Sequence, residues 1–186
     1  MTDVHEQHFP DIPIVTADQT PAVGLRNGEL AVQPGMWQSS PIAEWLILDA
    51  WRLSKLDDLT EQLAQRLLTA GVPLYRMFLL VPLLHPLYVG SGYIWRRSVE
   101  GIEQTFGEHG ARERPEFKKN PIRLILDENY AAVRRRIPTD YVEGEFTLID
   151  DLVKEGATDY VAMALEFTNG HRAAISFTSD QPSGFN

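Results

Sequence analysis

The strongest constraint in this sequence lies near its C-terminal end. "DYVAMALEF" and "HRAAISFTSD" are runs of strand-forming residues that flank Thr168-Asn169-Gly170. Asn-Gly is a preferred pair for the tight turn between twisted antiparallel strands, so these runs predict a β-hairpin. The end of the chain is thereby committed to antiparallel pairing.

Upstream, the periodicity is first helical. Ser40-Pro41 marks a helix start, with proline at the first helical position. Ile42, Trp45, Leu46 and Leu53 then recur at helical spacing, with Asp49 the polar exception. Ser54, with Asp57 three residues on, resembles a capping box and predicts a second start. Leu56, Leu59, Leu63 and Leu67 carry an apolar stripe until Gly71 and Pro73 end it. The stripe reads as core, with a dimer seam as the alternative.

After Pro73 the pattern becomes strand-like: "LYRMFLLVPLL", in which Pro82 suggests an edge or bulge, then "GYIWRRSVE" and "GIEQTFG". Asn120-Pro121 opens a short helix through "IRLILDE", and "AAVRRRI" returns as a strand. Thr147 and Asp150 cap a helix that ends at Gly156. The order is helix, helix, three strands, helix, strand, helix, two strands. It predicts an α+β domain over residues 39–186: a central, mostly antiparallel β-sheet flanked by helices, with an N-terminal helix pair. Residues 1–38, broken by Pro10, Pro13, Pro21 and Pro34, read as an extended or mobile arm.

Composition narrows the function. A formal net charge of -9 argues against a nucleic-acid binder and against adhesion to anionic membranes. The Arg134-Arg135-Arg136 cluster reads as solvated surface charge, with an anion site as the alternative. Cysteine is absent, which excludes disulfides, thiolate catalysis and cysteine-ligated zinc. The N-terminal "MTDVHEQHFPDIPIV" is no signal peptide, and no apolar run approaches a membrane span, so a cytoplasmic location is expected.

Chemistry-bearing motifs are sparse. His5, His8, His85, His109 and His171 show no metal-ligand spacing. Gly90-Ser91-Gly92 lacks the lysine and helix start of a phosphate loop, and there is no Gly-x-Ser-x-Gly elbow. His109 lies in the loop "GEHGARER", which could border a ligand. The most unusual stretch is "LLHPLYVGSGYIWRR". Pro86, Gly90 and Gly92 read as reversing the chain between two strands. Tyr93 and Trp95 then fall on one strand face, with Ile94 and Arg96 on the other. Two readings stay open. His85, Tyr88, Tyr93, Trp95 and Arg96 border a site for a small anionic or planar ligand, or the stretch is a packed corner. No catalytic residue, metal site or cofactor is assigned.

The same residues carry a resemblance. The helix pair beginning "WLILDAWRLSKLDDLTEQL", the element Leu84 to Arg96 ("LHPLYVGSGYIWR"), "GATDY" at Gly156 to Tyr160 and "TSDQPSGF" at Thr178 to Phe185 occur in that order. Together they resemble the N-terminal regulatory region of bacterial class III adenylate cyclases, over about residues 40–186. The resemblance implies a GAF-like sensor fold, a homodimer, and control of a cyclase domain by a small molecule or partner. In the family a helix and the catalytic domain follow the "GF" segment. None of that domain's metal-binding Asp or transition-state Asn and Arg residues can be assigned here, so this chain is expected to have no cyclase activity. The alternatives are a ligand-free dimerisation or interaction module, a small enzyme on the same scaffold, and a haem sensor using His85 or His109.

Overall fold

The computed structural model describes residues 41–168 and 170–185. The arm expected over residues 1–38, with His5 and His8, and the turn residue Asn169 lie outside the described residues.

Six strands form one sheet: β1 (Arg76–Pro82), β2 (Tyr88–Arg96), β3 (Ile102–Glu108), β4 (Ala132–Arg136), β5 (Asp159–Glu166) and β6 (Arg172–Ser179). Their order is β3-β2-β1-β6-β5-β4, and every neighbouring pair is antiparallel. Each half is therefore a meander, and the halves meet where β1 pairs with β6. The segment between β3 and β4 crosses from one edge to the other. The fold is α+β, with its sheet wholly antiparallel.

Helices cover both faces. On one side lies α2 (Leu56–Thr69), preceded by α1 (Pro41–Leu48) and a 3-10 turn at Ala50–Arg52. On the other lie α4 (Ile122–Leu126) and α6 (Thr147–Lys154), with single turns α3 (Pro115–Lys118) and α5 (Ile137–Asp140). Strand alternation divides the core accordingly. Met77, Leu79, Tyr93, Trp95 and Ile175 pack under α2 with Ala64 and Leu74. Tyr160, Ala162 and Ala174 pack with Ile122, Ile125, Ile149 and Leu152 of α4 and α6, and Phe78 and Leu80 join them.

The residues explain most of these elements. Small Thr60 and Ala64, 1% and 0% exposed, form the contact line of α2, flanked by half-buried Leu56, Leu63 and Leu67. Small side chains let the helix lie close to the sheet, and the Thr60 hydroxyl satisfies itself on the Leu56 carbonyl at 2.7 Å. Gly71, at φ +88°, takes the left-handed conformation that ends the helix, while the Val72 N–H returns to the Leu67 carbonyl. In α1 only Trp45 is buried, with the Arg66 guanidinium of α2 4.4 Å from its ring. Arg66 thus ties the helix pair together by a cation–π contact.

Three local expectations need correction. Gly90 and Gly92 are not at the turn but inside β2, paired to Pro82 and Leu80. The reversal is made by residues 83–87, closed by the Leu83 N–H on the Val89 carbonyl. Ser54 does not cap α2: Lys55 occupies that position without a side-chain cap bond. Thr147 is the first residue of α6 rather than its cap, and its hydroxyl reaches back to the Lys119 carbonyl. Asp150 instead accepts the Tyr141 hydroxyl at 3.0 Å and the Gly144 N–H at 3.1 Å, pinning the preceding loop. Among the described residues no helix is long and apolar enough to cross a membrane.

Candidate functional site

A cavity of about 220 Å³ lies on the sheet face opposite α2. Its floor is the hairpin region of β1, β2 and β3, where Gly90, Gly92 and Gly107 carry no side chains. Its walls come from the crossing segment: Ala111 and Arg112, then Phe117, Asn120, Ile122 and Leu126, with Arg172 from β6. The loop "GEHGARER", noted in the sequence, thus supplies three of the bordering residues.

Gly92 shows why the floor must be bare. A Cβ there would stand 2.5 Å from Phe78 Cε2 and 2.6 Å from Thr105 Oγ1. The Phe78 ring therefore lies across the Gly92 backbone, a close approach only glycine permits. This is the physical role of the second glycine in "GSG", and it is packing rather than turning.

Most of the polar side chains lining the cavity are already engaged. Arg112 pairs with Asp127 at 3.0 Å. Arg172 donates to the Ile125 carbonyl at 3.2 Å and pairs with Glu166. The Asn120 side-chain oxygen accepts the Ile122 N–H at 3.0 Å, starting α4. What remains is a mostly apolar hollow with a few fixed polar groups, the usual make-up of a small-molecule site.

The residues predicted to border a ligand do not form one wall. Tyr93 and Trp95, 7% and 3% exposed, are core residues beneath α2, on the other side of the sheet from the cavity. The Tyr93 hydroxyl accepts from Gln104 at 3.2 Å. Arg96 lies on the opposite face and pairs with Glu103 at 2.7 Å. His85 and Tyr88 stack with centroids 5.2 Å apart, and Tyr88 meets Phe106, a cavity-bordering residue, at 5.0 Å. None of the five lines the cavity, and Tyr88 is connected to it through its contact with Phe106. The His109 Nε2 lies 3.4 Å from the His85 carbonyl, and the described residues hold no group of three or more His, Asp or Glu suited to a metal ion.

The triple arginine is a solvated patch only in part: Arg134 and Arg136 are exposed, and Arg135 is buried. Arg135 is 7% exposed and pairs with Glu145, with Phe146 beneath it. Arg134 binds Asp159 and so anchors the C-terminal segment. Sequence reasoning missed these because the partners, Asp159 at the start of β5 and Glu145 in the loop before α6, are brought to β4 only by strand pairing and loop packing.

No protein-family model matches the chain, and no curated protein is similar to it.

Proposed function

We propose that this chain is a ligand-binding regulatory domain, GAF-like in architecture, of the kind that precedes the catalytic domain in class III adenylate cyclases. The observation that carries the proposal is the apolar cavity between the β1–β3 meander and the crossing segment. It is a hollow of about 220 Å³ on the sheet face opposite α2. The ordered motifs Leu84–Arg96, Gly156–Tyr160 and Thr178–Phe185 support the family reading. The volume falls below the roughly 300–1,000 Å³ typical of drug-sized ligands, which favours a molecule smaller than a nucleotide or haem. Binding would order the crossing segment, which connects the two halves of the sheet, and so favour one arrangement of the domain over another.

A thermal-shift screen of small metabolites, with cyclic nucleotides and haem as the larger comparison, tests this. A ligand at a hundredfold excess over its dissociation constant adds roughly 2.7 kcal/mol of stability. The response should vanish in Val89→Phe, which fills the cavity from β2. A saturable shift unchanged in Val89→Phe would remove the cavity from the proposal.

A second reading, a ligand-free dimerisation module, has its own observation. Leu46, Ile47, Leu48 and Trp51 are exposed together on α1 and the turn after it, Ile47 at 74% and Trp51 at 70%. Sedimentation equilibrium decides it: a dimer that Ile47→Glu converts to monomer supports this reading, and a strict monomer at high micromolar concentration ends it.

A further inference from the structure

One row across the sheet, on the face opposite α2, carries an unusual charge arrangement. The register aligns Arg135, Tyr160, Thr178, Arg76 and Arg96 on successive strands β4, β5, β6, β1 and β2. Adjacent strands are only about 4.8 Å apart, so each member of the row is the neighbour of the next. The outer arginines have their own carboxylates: Arg135 pairs with Glu145, and Arg96 with Glu103.

The middle arginine has none among the described residues. Arg76 is 6% exposed, its Nη1 is buried without a hydrogen-bond partner among the described residues, and its guanidinium lies 5.6 Å from the Phe78 ring. The nearby carboxylates are committed elsewhere. Glu103 belongs to Arg96, and Glu155 accepts the Tyr75 hydroxyl at 3.1 Å. Burial holds the Arg76 guanidinium below its ordinary pKa, and the charge of Arg96 adds to that effect.

Three hydroxyls beside it are in the same condition. Tyr160 Oη, Ser176 Oγ and Thr178 Oγ1 are all buried without partners among the described residues. Thr178 stands between Arg76 and Tyr160 in the row, and Ser176 is two residues before it on the same face of β6. Tyr160 and Ser176 are near enough to influence each other without a well-formed hydrogen bond. Unsatisfied buried hydroxyls and unpaired buried cations are each costly, and four such groups converging from three strands is far from the ordinary state of a core.

The geometry points to a buried oxyanion site formed by the Arg76 guanidinium and the hydroxyls of Tyr160, Ser176 and Thr178. Guanidinium presents a planar fork of donors, and hydroxyls rotate to donate, so the set suits a small carboxylate or phosphate-class anion. Such a ligand satisfies all four groups and neutralises the arginine of the row that has no carboxylate partner among the described residues. The oxyanion site is separate from the cavity: Phe78 borders the cavity, and Arg76 lies over its ring.

The test is thermal unfolding of the full chain in sodium phosphate and in sodium acetate, each against sodium chloride at equal ionic strength. The expected result is a rise in melting temperature with at least one oxyanion beyond the chloride control. That rise should be lost in Arg76→Met, reduced in Thr178→Val and Tyr160→Phe, and intact in Val89→Phe. The hydroxyl variants keep the test decisive if Arg76→Met does not fold. Phosphate and acetate arms distinguish the two anion geometries. An unfolding temperature that depends on ionic strength alone overturns the inference, as does an oxyanion effect that survives in both hydroxyl variants. Loss of the metabolite response in Val89→Phe bears only on the cavity.

Discussion

Asp159 accepts the backbone N–H of Phe185 at 3.0 Å, joining the start of β5 to the end of the described chain. The Arg134 guanidinium holds the same carboxylate at 2.6 and 3.2 Å and donates to the Phe185 carbonyl at 2.6 Å. Gly184, at φ +63°, lies so close that a Cβ there would be 2.5 Å from Asp159 Oδ2. The "GATDY" and "SGF" segments are therefore one structural unit, and Phe185 is delivered to the cluster beneath α2.

Asp159 is 1% exposed while Arg134 is partly open to solvent. Replacing Asp159 with Ala strands a guanidinium and the Phe185 N–H. The expected loss is about 2–4 kcal/mol, toward the lower part of the range for broken buried pairs because Arg134 can rehydrate. Urea unfolding measures it, and a loss below about 0.5 kcal/mol would show that the pair does not hold the C-terminal segment.

Gly92→Ala forces the Phe78 ring and Thr105 to move. Overpacking of this kind costs roughly 1–3 kcal/mol. The same substitution at Gly107, where an added Cβ would meet no atom nearer than 3.7 Å, should be much milder. Equal effects at the two sites would contradict the close approach of Phe78.

Trp95→Ala should cost about 3–5 kcal/mol, because it empties the core beneath α2 whether or not any ligand is bound. Arg96→Ala removes an ion pair with a partly exposed Glu103 and should cost under about 1 kcal/mol. Paired denaturation curves check both. A Trp95→Ala protein of unaltered stability would restore this residue to a ligand-facing role.

Burial pushes the Tyr160 phenol up to about 12 from an ordinary 10.0. Its neutral form is therefore favoured in the folded state. The resulting stability is complete below pH 10 and is lost as the pH rises toward 12. Tyr160→Phe should flatten that part of the alkaline stability profile, measured as the difference from the parent protein, since Tyr75 and Tyr141 are also raised. An unchanged difference between about pH 9 and about pH 12 would refute the assignment.

Much of the architecture was legible because local patterns carry it. Alternation in "YIWR" placed Tyr93 and Trp95 on one strand face, and the stripe Leu56, Leu59, Leu63 and Leu67 marked α2, three of its leucines, Leu56, Leu63 and Leu67, packing on the core beneath it. The cavity was legible only through the loop at His109. The burial of Tyr93 and Trp95 beneath α2 was not legible, because residues two apart on a strand share a face, yet the sequence does not show which face is sealed by a helix. The single-turn helices α3 and α5 escaped because one turn carries no periodicity, leaving only Pro115 and Pro138 in their first turns as signals.

What the sequence determined by itself was the longer elements: where the period changes from helical to alternating, where glycine ends α2, and that the last two strands form an antiparallel hairpin. These are short-range consequences of backbone conformation and side-chain spacing. Tertiary structure decided the rest. It joined β1 to β6, placed α2 and the α4–α6 pair on opposite faces, and turned three arginines of different segments into one row. Which carboxylate reaches which arginine depends on strand order, and strand order is set by long-range pairing that no local pattern encodes. That pairing leaves Arg76 buried without an acidic partner among the described residues.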